Sequence, residues 1–586
     1  MYLENIQSPE DVKALSMEEL NKLSEEIRQA LLTKLSEHGG HIGPNLGIVE
    51  LTVALHYVFQ SPVDKMVYDV SHQSYVHKML TGRREAFLNN AHYDDVSGYS
   101  NPEESEHDFF NIGHTSTSIS LACGLAKARD VKGEKGNVIA MIGDGSLSGG
   151  EAYEGLNHAA EEGSNFIVIV NDNEMSIAEN HGGLYKNLRE LRESEGTCNC
   201  NFFKAMGFEY YYVKDGHDYG ELIKTFEQVK DCDHPVVVHV HTVKGKGYEL
   251  AEQNKEQWHW GMPFVLETGE SKFQMSGEDY GDMTATYLLE EMKQNKKVVA
   301  ITSGTPTVFG FNEERRKEAG KQFVDVAIAE EHAVALASGI AKNGGVPVYG
   351  VYSTFIQRAY DQLSQDLCIN QNPAVILVFA ASVYGMNDVT HLGLYDIAMM
   401  GNIPNLVYLA PTCKEEYFAM LRWGMTQKEH PVAIRVPGMG VVTSNQEDVT
   451  DYSVLNQYQV TKEGNTVAII ALGDFYSLGE NLVEVLEQEY GIEATLINPK
   501  FITGVDVSLL EQLKNKHDLV ITLEDGMLEG GFGEKIARFY GTSDMKERNY
   551  GFKKGFPDRY IAEELMKENG ITVEQMKDEI VQILRK

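Results

Sequence analysis

Two short apolar runs, 138–142 (VIAMI) and 166–170 (FIVIV), stop abruptly at Gly143-Asp144-Gly145 and at Asn171-Asp172-Asn173. A continuous apolar run bounded by turn-forming residues predicts a strand buried on both faces. The segment between them, 150–162, has helix-forming composition. Together the three predict a β-α-β unit of about 30 residues, whose right-handed crossover sets both strands close together in one parallel sheet. Asp144 and Asn173 then stand at strand carboxyl ends, where open α/β sheets bind ligands.

The same alternation recurs along the chain. Ser8-Pro9-Glu10-Asp11 reads as a helix start, and 15–35 carries apolar residues at helical spacing. Glycines and Pro44 then leave His41 on a loop before a new helix beginning near Ile48. Further strands are predicted at 66–70, 234–241, 298–302, 323–328, 466–472, 494–497 and 519–523, with helices at 119–129, from Tyr280 and at 476–490. Strands alternating with helices predict an α/β protein with mostly parallel sheets. At 586 residues the chain exceeds one hydrophobic core and divides into about three domains.

Charge and cysteines narrow the partners. A net charge of -36 opposes nucleic acid and anionic membrane surfaces, both of which repel such a chain. The cysteines (Cys123, Cys198, Cys200, Cys232, Cys368, Cys413) form no CxxC pair and no disulfide framework, as expected in a reducing cytoplasm. The amino-terminal stretch is polar and acidic without a signal-peptide core, and no run reaches the ~20 apolar residues of a membrane span. The expectation is a cytoplasmic protein with small-molecule partners.

Chemistry gathers at the strand ends. The Asp144 carboxylate and the Asn173 amide oxygen are hard ligands of the kind Mg²⁺ prefers, with phosphate and water completing its shell. Gly143 and Gly145 let backbone approach a phosphate with no Cβ in the way. His72 falls just after a predicted strand, and 111–118 opens a small-residue helix whose free amides suit an anionic group.

GGHIGPNLGIVELTVALHYVF (39–59), YDVSHQSYVHKMLTGR (68–83), GHTSTSIS (113–120), GDGSLSGGEAYEGLNHA (143–159) and NDNEMSI (171–177) resemble the 1-deoxy-D-xylulose-5-phosphate synthase family, a branch of the transketolase-like enzymes. KGKGYELAE (244–252), WHWGMPF (258–264), DVAIAEEHAVALASGIA (325–341), YSTFIQRAYDQ (352–362) and LEDGMLEGGFG (523–533) continue the resemblance in the family's order. It implies a transketolase-like thiamine-diphosphate-binding fold with a diphosphate-binding domain at 1–277, a pyrimidine-binding domain at 278–445 and a C-terminal domain at 446–586. The last is expected to help form a homodimer.

The implied reaction joins pyruvate to D-glyceraldehyde 3-phosphate with loss of CO₂, a step serving isoprenoid and thiamine biosynthesis. The implied cofactors are thiamine diphosphate and Mg²⁺, the metal held by Asp144, Asn173 and Met175. Cofactor contacts carry over to His72, Gly113, His114, Thr115, Gly145, Ser146, Asn173, Ile177, Tyr248, Glu330 and Phe355. Glu330 would hydrogen-bond a pyrimidine ring nitrogen and so drive acid-base work through the cofactor, while Phe355 stacks on the ring. His41, His72, His259 and His391 are candidates for proton transfers, and Tyr352, Arg358 and Asn387 for substrate contacts.

Some positions leave the pattern. Two family arginines expected to hold the acceptor's phosphate align with Ala380 and Gly438, and a family aspartate aligns with Asn387, followed by Asp388. The loop 180–201 is shorter than the family's flexible active-site segment. These departures leave open an enzyme with another acceptor, one with a ketose phosphate donor as in transketolase, and a catalytically silent cofactor-binding paralogue.

Overall fold

The computed structural model describes residues 2–273, 277–444 and 446–585. They fall into two compact units. The first comprises the chain up to residue 276 with Ala327–Ala329, the second Gly277–Val326 with Glu330–Lys586.

The first unit is built on a five-stranded sheet of β1 (Lys65–Tyr68), β2 (Val138–Gly143), β3 (Phe166–Asp172), β4 (Glu209–Val213) and β5 (Pro235–His241), ordered β1-β2-β3-β5-β4. All its pairings are parallel. β3 is buried along its whole length and β2 along all but its last residue, as their uninterrupted apolar character predicts. The two pair directly, with Gly143 opposite Asn171. The intervening helix is Gly150–Ala159.

The second unit holds two sheets. One is six-stranded and parallel, with β6 (Val298–Thr302), β7 (Phe323–Asp325), β8 (Val346–Tyr352), β9 (Val375–Phe379), β10 (Val407–Leu409) and β11 (Val432–Arg435) ordered β10-β11-β9-β8-β6-β7. The other has β12 (Gln459–Lys462), β13 (Thr466–Ala471), β14 (Thr495–Asn498), β15 (His517–Met527) and β16 (Lys546–Phe552) ordered β12-β14-β13-β15-β16. Only β12 runs antiparallel to its neighbour among the described strands. The expected boundary at residue 445 falls on a residue outside the described set.

Several elements differ from the sequence expectation, each for a local reason. β1 stops at Tyr68 because Val70 and Ser71 take left-handed backbone (φ 58° and 63°). The strand expected over 323–328 ends at Asp325, with Ala327 at φ 61°. Pro44 sits in the first turn of a four-residue helix, Gly43–Leu46, where its missing N–H costs nothing. The loop expected at 180–201 contains the helix Gly183–Glu193, which buries Tyr185, Leu188 and Leu191 at helical spacing. No helix among the described residues is long and apolar enough to cross a membrane.

Candidate active site

In the first unit the site is built around the ends of β2 and β3. Asp144 is 1% exposed. Its Oδ2 accepts a hydrogen bond from Asn180 Nδ2 at 2.7 Å, and its Oδ1 lies 3.5 Å from the Asn173 amide nitrogen. Burial, reinforced by repulsion from Asp172, pushes its carboxyl well above the usual range, and Asn173, Asn180 and Lys244 pull the other way. Burial therefore leaves this carboxyl with little compensation inside the first unit. Asp172 is not the competing ligand. His239 Nε2 lies 2.8 Å and Arg192 Nη1 2.5 Å from its Oδ2, and these partners hold it below the carboxylate range despite burial.

The Asn173 loop is closed on itself. Met175 N donates to Asn173 Oδ1 at 3.2 Å, Met175 bridges to Glu179, and Ser176 N donates to Ala178 O at 3.0 Å. Ile177 is half-buried on this loop. Lys244, itself buried, donates to Ser176 O at 2.6 Å. Gly145 is glycine for the sake of this loop, since a Cβ there would lie 3.0 Å from Ser176, whereas a Cβ on Gly143 would meet nothing within 4 Å. The freedom to approach a ligand thus belongs to Gly143, and Gly145 serves packing.

The segment Gly113-His114-Thr115 is positioned from below. Asp69, fully buried, accepts from Ser116 N at 2.8 Å and Ser118 N at 3.0 Å, and Ser116 Oγ donates to Ser146 O at 2.8 Å. This corrects the expectation of free amides where the helix Ser118–Lys132 begins, because a carboxylate of the protein already occupies them. His114 and Thr115 are half-buried.

The structure brings His41, His72 and His259 together. Their ring centroids lie 4.9 Å (41 to 72), 5.6 Å (41 to 259) and 5.3 Å (72 to 259) apart. Backbone pairing between Gly40 and Gly261, with Gly43 N donating to Trp258 O at 2.8 Å, carries His259 to the His41 loop. Asn45 Nδ2 donates to both His41 O and His72 O at 2.8 Å, locking the two loops. Burial, with Lys244 and the other histidines nearby, holds His259 well below the usual imidazole range, so it is neutral at pH 7, and its Nδ1 has no hydrogen-bond partner. Tyr248 has a different setting. Its hydroxyl donates to Leu266 O at 2.9 Å and its ring packs on Trp258 and Phe264, a core environment.

In the second unit Glu330 opens the helix Glu330–Lys342 and is 4% exposed. Its Oε2 has no hydrogen-bond partner, and Arg358 Nη1 lies 3.7 Å away. Burial raises its carboxyl to about 7, with Arg358 opposing. Phe355 lies 5.5 Å from the Tyr352 ring and 5.7 Å from the His391 ring. Asn387 is exposed, and its Nδ2 donates to Tyr560 O at 2.9 Å, so it ties down the carboxyl-terminal region. Asp388 faces His391 instead, with its Oδ1 4.0 Å from Nδ1. The carboxylate nearest His391 in this loop is thus that of Asp388, the residue after the aligned Asn387. Ala380 takes φ 51°.

Asn180, Arg192, Lys244 and Asp388 were not singled out from sequence as parts of the site. Only Asp388 carried a signal, its place one step after the aligned position.

Residues 3–201 and 194–242 match the family described as 1-deoxy-D-xylulose-5-phosphate synthase. Residues 277–440 match the transketolase pyrimidine binding domain, and 456–576 the transketolase C-terminal domain. A 1-deoxy-D-xylulose-5-phosphate synthase of Caldanaerobacter subterraneus subsp. tengcongensis is 40% identical, covering 99% of each chain. The chain belongs to the 1-deoxy-D-xylulose-5-phosphate synthase family. The synthase of Alkaliphilus oremlandii is 39% identical over 99% of this chain and 98% of its own. A Clostridium tetani synthase is 37% identical over 98% of both. The fold is accordingly transketolase-like, and membership makes the chain a thiamine-diphosphate-dependent transferase. The match to the synthase family is broken into two pieces that overlap at 194–201, within the segment 180–201.

Proposed function

We propose that this member of the synthase family is a 1-deoxy-D-xylulose-5-phosphate synthase, using thiamine diphosphate and Mg²⁺ to join pyruvate to D-glyceraldehyde 3-phosphate with release of CO₂. The observation that carries the reading is Glu330, a buried carboxyl raised to about 7 whose Oε2 has no hydrogen-bond partner and only the Arg358 guanidinium 3.7 Å away. Such a group fits a ring nitrogen that needs a hydrogen-bond partner able to hold or share a proton. Bound thiamine diphosphate supplies a carbon nucleophile that the amino acids lack.

The chain's own residues provide the rest. Asp144, Asn173 and, through its main-chain oxygen, Met175 are the hard donors for Mg²⁺ on the diphosphate. Gly113, His114, Thr115, Gly145, Ser146 and Ile177 border those phosphates in this reading. Phe355 offers an aromatic face to the pyrimidine. Neutral His259, with His41 and His72, moves protons or polarises carbonyl oxygen, and His391 does so with Asp388 behind it. Tyr352 and Arg358 contact substrate, the guanidinium attracting carboxylate or phosphate.

The division into domains at 1–277, 278–445 and 446–586, a homodimeric assembly, cytoplasmic residence and the absence of nucleic-acid or membrane partners are part of the same reading. Incubating the purified protein with pyruvate, glyceraldehyde 3-phosphate, thiamine diphosphate and Mg²⁺ tests it. Release of CO₂ with formation of the five-carbon sugar phosphate is expected, and neither appearing rejects it.

A second reading keeps the donor and changes the acceptor. One observation favours it. Gly438 N donates to Asp474 Oδ2 at 2.9 Å, and a Cβ on Gly438 would lie 2.5 Å from Ala381 O. The buried Asp474 carboxyl, raised to about 7 by burial, thus lies against the backbone at the position where the resemblance expects an arginine. A pyruvate-dependent turnover faster with unphosphorylated glyceraldehyde than with its 3-phosphate would support this reading over the first.

A further inference from the structure

The segment 180–193 grips both strand ends of the first unit. Asn180 Nδ2 donates to Asp144 Oδ2 at 2.7 Å, Tyr185 Oη donates to Gly145 O at 3.2 Å, and Arg192 pairs with Asp172 at 2.5 Å and with Glu174 at 2.6 Å. Of these contacts, Asn180 alone touches the carboxylate assigned to the metal. Its other amide atom, Oδ1, is buried and has no hydrogen-bond partner. A buried amide oxygen left unmatched costs free energy unless a donor arrives, and a metal-bound water is such a donor.

We propose that Asn180 is a positioning residue for the metal-diphosphate site. Through Nδ2 it fixes the Asp144 carboxylate, keeping Oδ2 engaged and Oδ1 directed to the cation. Through Oδ1 it accepts a hydrogen bond from a water on that cation. Partners that orient a ligating carboxylate typically change metal affinity 10- to 100-fold when removed. Arg192 supports this arrangement from the other side, since it holds the neighbouring Asp172 in an ion pair and leaves Asp144 as the one carboxylate of the two for the metal. The inference rests on the proposed cofactor reading.

The test measures Mn²⁺ binding to the full chain by electron paramagnetic resonance at saturating thiamine diphosphate, in the parent protein, Asn180→Ala and Lys186→Ala. Lys186 is exposed on the helix Gly183–Glu193 that follows Asn180 and serves as the control. The half-saturating Mn²⁺ concentration is expected to rise at least about 10-fold in Asn180→Ala and to stay at the parent value in Lys186→Ala. Hydrogen exchange across the helix Gly183–Glu193 is expected to match the parent in both. Native Mn²⁺ affinity in Asn180→Ala overturns the proposal. So does weakened affinity accompanied by loss of protection over that helix, which would make Asn180 merely structural. A parent protein that binds no Mn²⁺ with thiamine diphosphate overturns the cofactor reading and this proposal with it.

Discussion

Asp388 and His391 face each other across one hydrogen-bonded turn, in which His391 N donates to Asp388 O at 2.9 Å. Asp388 Oδ1 lies 4.0 Å from His391 Nδ1 and accepts from Thr390 Oγ1 at 2.6 Å, while Thr390 Oγ1 lies 2.8 Å from that same Nδ1. Burial would raise the Asp388 carboxyl, yet the nearby His391 and the hydrogen bonds from Thr390 hold it below the usual value. The pair is therefore a carboxylate beside an imidazole, linked through the Thr390 hydroxyl, an arrangement that fixes ring orientation.

Asp388→Asn should lower kcat/KM about 10-fold or more, since the charge-assisted hydrogen bond by which the carboxylate holds Thr390 against His391 contributes roughly 1.5–3 kcal/mol. Asn387→Asp, on an exposed side chain bonded to Tyr560 O, should change it by less than about twofold. Steady-state kinetics with pyruvate varied separates the two. Equal effects of both substitutions would remove the assignment of the carboxylate to Asp388.

Glu330→Gln should lower kcat by about 10² to 10⁴, the usual range for a positioned acid-base group. Calorimetry should find thiamine diphosphate binding within about tenfold of the parent.

The same residue predicts a pH-dependent stability. Its carboxyl is raised from 4.5 to about 7 by burial, so the folded chain binds the proton more tightly than the unfolded one. Stability from this group is lost as pH rises from about 4.5 through 7. In cofactor-free protein, Glu330→Gln should therefore unfold at a higher temperature than the parent at pH 8, by an amount corresponding to about 3 kcal/mol. The difference should shrink toward pH 5. Thermal scans at both pH values check this, and a parent equally stable or more stable at pH 8 contradicts the assigned shift.

Gly438→Ala should destabilise the chain by about 1–3 kcal/mol, because its Cβ would meet the Ala381 carbonyl oxygen at 2.5 Å and backbone must move. A lowered thermal midpoint is the readout. An unchanged midpoint would mean that the loop yields freely and can accept larger side chains.

Chelation should release the cofactor. Asp144 is too buried and too poorly compensated to face a diphosphate without a cation between them. Dialysis against a chelator is expected to abolish thiamine diphosphate binding, and Mg²⁺ or Mn²⁺ to restore it. Binding of unchanged affinity after chelation would remove the metal from the site.

Much of this protein is written locally. The strands at 138–142, 166–170 and 298–302 follow from continuous apolar runs, because burial on both faces leaves no room for polar alternation. Their ends were legible from Gly, Asp and Asn, which turn the chain and carry oxygen donors. Glu330 and the histidine motifs were legible through resemblance. Short or irregular elements were not. β12 has an alternating, half-exposed pattern, and the helix at Gly183–Glu193 lies in a stretch where resemblance pointed to an open loop.

The sequence by itself determined which residue types stand at the strand ends, and so the chemistry available there. Only the tertiary structure decided their use. Asn180 reaches Asp144 from 36 residues away, Arg192 engages Asp172, Asp69 occupies the amides expected to be free, and Asp388 rather than Asn387 meets His391. Each outcome depends on side-chain direction and burial set by packing between distant segments, and local periodicity carries no record of either.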